Sequence, residues 1–572
     1  MSELLNQFNL AKQATDGFRS RWDDFLEIAY AKIPEAKGFK SRVATGDLSN
    51  LIIERNARVA ARVPTGKIIP LSKHDEAKAL VVNLGWKHHV LEKANWGYPM
   101  PIKLRMWDFY SLVYGIMPMF HGYNFSEEYT GPDCRLVDIR FVSPQAGRNT
   151  PNDCDYVFYE TFHSKSELKG MKGRKGWNSE NLNELLGSKP DPEVSDQATT
   201  MQHARGEADN LNAGMYKLIT KYVRGKGKKW TTFDTKGNTI REIENPFESG
   251  RIPIVFKIAF PLVDSFWGLG DVERGESLQK AIHTITNLSI DYLKTVIFPP
   301  ITMASDMNPS QYPFKPAAKW RIDKTRGEFI EPAQLNQAPA NVSSQLNQSF
   351  KASLLNQNGT TDTTISASDG APGFGKTHKA LQTLSERQNS RDNFDRQMFE
   401  SACKELFEGM LEELGTVNTL PVEFDIFEQS VEELDPIQNV EGVTVTTLGK
   451  DYARVKVTPD FFKGRQSFRL DIGSSAENDE KEEFERVETV IEMLQSPFGQ
   501  KASEVLATQG KEIDYELILE QFLSAANIKN RDQVIRPLTT PQEIDSESDI
   551  AEDFNPDMIE DPILKQAMLG GY

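Results

Sequence analysis

The chain has 572 residues, a formal net charge of −17 and a hydrophobic fraction of 38%. That length implies several domains or one elongated multi-part subunit, and the lean hydrophobic content still allows real cores. The acidity excludes an ordinary tight DNA binder, because phosphate affinity comes from Lys and Arg, and no apolar run approaches the ~20 residues a membrane helix needs.

In chain order, "MSELLNQFNL" has neither a basic nor an apolar leader region, so no secretory signal is expected and the protein reads as soluble and cytoplasmically folded. "FRSRWDDFLEIAYAKI" is amphipathic, and the first ~60 residues read as helices. A second helical block runs from Asp75 to about Glu92, ahead of the apolar "LRMWDFYSLVYGIMPMFHGY". "CRLVDIRFVS" and "DYVFYETF" alternate like half-buried strands. The polar stretch 164–200 reads as a surface excursion. "YKLITKYVRGKGKKWTTFDTKGNTIREI" reads as a β meander with turns at Gly225–Gly227 and Gly237-Asn238.

A long helix is predicted over 276–297, with Leu278, Ile282, Ile285, Leu288, Tyr292 and Val296 on one apolar face, ended by Pro299-Pro300. Residues 305–337 are polar and Pro-rich with short strand-like pieces, "KWRID" and "GEFIEP", and 341–355 form a second helix. The Gly/Ser/Thr-rich stretch up to Thr377 leads into the most regular helix, 378–414. There Leu381, Leu384, Phe394, Met398, Ala402, Leu406, Met410 and Leu414 mark one face. Strands are predicted in "VEFDIFE", "GVTVTTL", "YARVKVTPDFF" and "FRLDIG". Two helices follow before an acidic tail from Thr540, read as disordered or partner-dependent.

Gly370-Ala-Pro-Gly373-Phe-Gly375-Lys376-Thr377 fits GxxxxGK[ST], the phosphate-cradling pattern of P-loop NTPases. A P-loop follows a buried strand, yet "DTTISASD" before Gly370 holds one large apolar side chain, Ile365. The match therefore reads as coincidental, a pliant loop carrying Lys376 into a helix, and NTPase activity stays as the alternative. Eight histidines are scattered without HExxH spacing, and Cys134, Cys154 and Cys403 make no CxxC pair. No metal site, cofactor or catalytic constellation is expected, so a non-enzymatic interaction or structural role leads. Lys315, Lys319, Trp320, Arg321, Lys324 and Arg326 form a basic cluster suited to partner contact.

The order of these parts resembles that of tailed-bacteriophage portal proteins, the head-to-tail connectors. The likeness covers about residues 10–530. It rests on "RVAARVPTGKIIPL", "VYGIMPMFHGYNF", "FWGLGDVERGESLQKAIHTITNLSIDYLKTVIFPPI", "HKALQTLSERQNSRDNFDRQMFESACKELFEGMLEEL" and "VTPDFFKGRQSFRLDIGSSAENDEKEE". Each motif alone is soft, and their order carries the resemblance.

The resemblance implies an α+β, portal-type elongated subunit with long stem and channel helices, β-rich wing and clip parts and a helical crown. It assigns 1–275 to the wing, 276–302 to a stem helix, 303–337 to the clip and 338–357 to the stem return helix. The channel loop is 358–377, the long channel helix 378–415 and the C-terminal wing 416–475. The crown is 476–535, and 536–572 is an acidic flexible tail with no placed counterpart. It implies a ring, typically dodecameric, at one capsid vertex of the virion, assembled in the host cytoplasm. Double-stranded DNA slides through it during packaging and ejection, and terminase, tail or adaptor proteins and the major capsid protein dock on it, with no membrane. Gly370, Gly373, Gly375 and Lys376 would then face DNA, and the basic cluster at 315–326 would meet partners. Twelve helices ~10 Å wide enclose a hole of roughly 14 Å radius, enough for a duplex about 20 Å across. An acidic wall lets DNA slide, because each phosphate gripped adds affinity that must be broken. A general scaffold with no DNA role is the third reading.

Overall fold

The computed structural model describes residues 3–32, 40–60, 66–70, 76–86, 94, 97–125, 129–188, 215–297, 301–303, 324–326, 330–332, 338–358, 378–416, 422–427, 442–447, 452–458 and 468–472. The chain divides between Glu477 and Asn478, and every described residue belongs to the first unit. The expected crown and acidic tail, the channel loop after Asn358 and most of the clip lie outside the described residues.

Steps of three, four and seven residues between Phe8, Ala11, Thr15, Trp22, Phe25 and Ala29 give helix α1 (Glu3–Ala29) one buried stripe. The same spacing in Leu48, Leu51, Ile52, Arg55 and Val59 buries one side of α2 (Asp47–Val59). Strand β1 (Gly66–Pro70) and helix α3 (Glu76–Trp86) follow. Helix α4 (Met100–Tyr114) begins at prolines and stops at Gly115, whose φ of 90° is left-handed. A β-carbon at Gly115 would stand 2.8 Å from the Gly268 carbonyl oxygen and 2.9 Å from that of Trp267. Only glycine lets the "GLG" turn press against this corner.

Strand β2 (Ile116–Phe125) leaves that corner and pairs with β3 (Thr130–Leu136) and β9 (Ile254–Ile258), both antiparallel. A second antiparallel sheet holds β4 (Val142–Pro144), β5 (Tyr156–His163), β6 (Tyr216–Val223), β7 (Lys229–Asp234) and β8 (Thr239–Glu244) in sequence order, so the expected meander is present. Its turns sit at Gly225, Gly227 and Gly237, all with positive φ.

The described part of the polar stretch 164–200 is not a plain surface loop. It folds as α5 (Lys165–Met171) and α6 (Ser179–Gly187), burying Leu168 and Leu182 against Tyr216, Leu218 and Ile240. The physical reason is capping: Ser164 and Glu167 form a capping box, and the Asn178 side chain accepts from the Glu180 and Asn181 amides. One fully buried leucine per short helix, among mostly polar residues, masks these elements from a periodicity reading.

Three helices follow: α7 (Asp271–Ile297), α8 (Ala338–Asn358) and α9 (His378–Thr416). Between α7 and α8 lie strands β10 (Ile301–Met303) and β11 (Ile330–Pro332), paired antiparallel. After α9 come β12 (Val422–Phe427), β13 (Val443–Thr447) and β14 (Tyr452–Val457) in the order β12-β14-β13. Strand β15 (Phe468–Ile472) then pairs with β1, Gly66 opposite Ile472, joining distant parts of the chain.

The described residues thus form a mixed α+β architecture. One core gathers Trp22 of α1, Leu48 of α2, Trp107 of α4, Met119 of β2 and Phe399 and Phe407 of α9. Edge-on ring pairs lock it, Trp22 with Trp267 at 4.8 Å and Trp86 with Phe407 at 5.0 Å between centroids. The predicted face of α9 is buried from Ala402 through Leu414, whereas Phe394 is 39% exposed and meets the ring of Phe260.

Candidate functional site

Helices α7 and α8 run antiparallel as a hairpin. Ser289 Oγ donates to Ser343 Oγ at 3.0 Å, and Asn347 Nδ2 donates to Thr286 Oγ1 at 3.2 Å. Small and polar contacts of this kind let two helices approach closely. Toward the base, Gly275 lies between Leu48 and Leu354, and a β-carbon there would come within 2.8 and 2.9 Å of their methyl carbons. At the other end β10 and β11 pair, Ile301 opposite Pro332 and Met303 opposite Ile330.

One side of α7 is buried by polar groups, beside Ile282 and Leu278 of the expected apolar face. Gln279, His283, Asn287 and Asp291 recur at four-residue steps, which places them in one line along the helix. Each meets the segment 40–48, which runs antiparallel to α7. Gln279 Oε1 accepts from Leu48 N at 3.0 Å, and its Nε2 donates to Thr45 O at 2.7 Å. His283 Nε2 is 2.8 Å from Thr45 O. Asn287 accepts from Val43 N at 2.8 Å and donates to Val43 O at 2.9 Å. Asp291 accepts from Lys40 N and from Ser41 Oγ, each at 2.5 Å. The backbone of 40–48, which makes no β ladder here, finds its partners in α7 side chains. The Ser41 hydroxyl, with the Lys40 and Ser41 amides, lowers the Asp291 pKa to about 2.

Of the six residues predicted for the apolar face of α7, Ile282 is fully buried and Leu288 is 47% exposed. Leu293, Ile297, Val342 and Leu346 on the same hairpin are 48%, 65%, 54% and 44% exposed. A run of large apolar side chains open to solvent on two paired helices marks a surface suited to a protein neighbour. Charge is nearly absent from α8: Lys351 is its one ionisable residue, and Lys351 Nζ sits 2.8 Å from Asp47 Oδ1.

Of the residues predicted for partner contact, Lys324 and Arg326 lie in the 3-10 turn Lys324–Arg326, with Arg326 exposed. Lys315, Lys319, Trp320 and Arg321 lie outside the described residues, as do Gly370, Gly373, Gly375 and Lys376. The polar line on α7 escaped sequence reading because Gln, His, Asn and Asp at i, i+4 steps read as a solvated face. Their regular spacing opposite a segment with no strand pattern was the available signal.

The three cysteines are buried free thiols, and burial pushes Cys134 up to about 12 and Cys154 up to about 11. Both are therefore poor nucleophiles at neutral pH. Among the described residues no group of three or more His, Cys, Asp or Glu is placed to hold a metal ion, and no helix is long and apolar enough to cross a membrane. No known family model matches the chain, and no curated protein matches it significantly.

Proposed function

We propose that this chain is the subunit of a phage portal ring, a non-enzymatic conduit through which double-stranded DNA is packaged and ejected at one capsid vertex. The observation that carries this reading is the α7–α8 hairpin with its β10–β11 end, exposing Leu288, Leu293, Ile297, Val342 and Leu346 on a single subunit. In a ring each hairpin meets two neighbours, and those side chains are covered between copies. The nearly uncharged α8 and the net charge of −17 suit a wall past which phosphates slide without being held.

Under this reading α7 and α8 form the stem, and residues 303–337 are the clip that meets terminase and later tail or adaptor proteins. Residues 358–377 form the channel loop on α9, and the wing faces the major capsid protein.

The test is deletion of 370–375 in the packaging reaction. Rings are expected to assemble while DNA packaging or retention fails. Loss of assembly would contradict the channel-loop role. ATP hydrolysis by the purified chain that disappears in Lys376→Ala would replace this reading with an NTPase.

A further inference from the structure

Asp271, the first residue of α7, is 4% exposed and serves two cations from different directions. Arg55 of α2 places Nη1 2.6 Å from both Asp271 carboxylate oxygens. Its Nη2 donates to Asp395 Oδ2 on α9. Arg274, one turn into α7, stands 3.5 Å from Asp271 Oδ1 and donates through Nη2 to the Gln357 carbonyl at 2.6 Å. Gln357 is the penultimate residue of α8. A turn away on α2, Arg58 Nε donates to Asp392 Oδ2 of α9 at 2.8 Å.

The arrangement has a topological consequence. Helix α8 ends at Asn358, and among the described side chains α9 is tied to this junction at Asp392 and Asp395. Gln357 and Asp395 both lead to one carboxylate, Asp271, through Arg274 on one side and Arg55 on the other. The three arginines and three aspartates balance in charge, as a buried cluster requires. Burial pushes the Asp395 pKa up while Arg55 opposes it.

We infer that Asp271 is a positioning residue that couples α9 to the end of α8: an event that disturbs the Arg55–Asp395 contact on α9 is transmitted through Asp271 and Arg274 to the last turn of α8. The inference rests on the described contacts and goes beyond the portal reading. If that reading holds, the junction joins the stem to the channel helix. If it fails, the coupling is still measurable.

The measurement is amide hydrogen exchange on the purified full-length protein, comparing wild type, Asp395→Asn, Arg274→Gln and the double variant. No described contact joins Asp395 to α8 directly. Asp395→Asn is nevertheless expected to speed exchange at 352–358 by about tenfold, within the usual range of coupling between sites. Amides of β6 serve as the reference for global loosening and are expected to stay within about twofold. In the Arg274→Gln background Asp395→Asn is expected to add little at 352–358, because the relay is already cut. Equal, additive effects in both backgrounds would overturn the inference, and so would an Asp395→Asn effect confined to α9. Asp271→Asn, where it folds, is expected to match the double variant. An Asp271→Asn protein with wild-type exchange at 352–358 would likewise overturn it.

Discussion

The Asn287 side chain pairs with both backbone groups of Val43, accepting from its N–H and donating to its C=O. One amide side chain thus does for the segment 40–48 what a neighbouring strand does in a sheet. Replacing Asn287 by Leu removes both partners at once. About 2 kcal/mol of stability is expected to go, the usual scale for leaving partly buried backbone groups unpaired. Denaturant unfolding measures the loss, and amide exchange is expected to rise across 40–46 rather than in the β5–β6 pair.

Asp291 sets a pH limit on the same segment. Its folded pKa, about 2, lies below the ~3.9 of an unfolded aspartate. A carboxyl depressed by folding stabilises the fold above its unfolded pKa and loses that contribution as pH falls toward its folded value. The hold of Asp291 on Lys40 and Ser41 is therefore full at pH 5 and fades between about pH 4 and 2. Backbone amide spectra of Lys40 and Ser41 are expected to shift over that range in wild type. In Asp291→Asn that pH dependence is expected to vanish.

Much of the hairpin was legible, and one face of it was misread. The four-residue spacing from Ala402 to Leu414 marks a side of α9 that is buried. The strands from Val422 to Ile472 follow their alternating pattern, and α7 and α8 cover the helices expected over 276–297 and 341–355. The orientation of α7 was not legible, because its buried side is polar and its partner is an irregular segment more than 200 positions earlier. The β1–β15 pairing and the Arg55 junction also depend on contacts far apart in sequence, which local patterns cannot encode. Of the candidate site, its helices could be read directly, whereas which side chains it leaves exposed depended on that orientation.

A buried ion pair holds the middle of the core. Lys257 Nζ lies 2.6 Å from Asp108 Oδ1 and donates to Ser111 Oγ at 2.7 Å, with both charged side chains fully buried. Lys257→Met leaves Asp108 without its cation and is expected to cost about 3–5 kcal/mol. Adding Asp108→Leu is expected to restore most of that loss, because the cost lies in an unpaired buried charge. A double-mutant cycle by denaturant unfolding checks both values.

The exposed leucines of the hairpin should matter to assembly and not to folding. Leu346 is 44% exposed and Leu288 is 47% exposed, so a charge at either position costs the isolated subunit little. Leu346→Asp and Leu288→Asp are expected to keep the wild-type circular dichroism and melting temperature of the subunit, while sedimentation shows the ring lost or reduced at least about tenfold, the effect of ~1.4 kcal/mol per contact.

Negative-stain electron microscopy of the purified full-length protein bears most directly on the portal account. The account predicts rotationally symmetric rings of about a dozen subunits with a central opening wide enough for a duplex about 20 Å across. Particles that remain single subunits at every concentration, or closed assemblies with no opening, would contradict it.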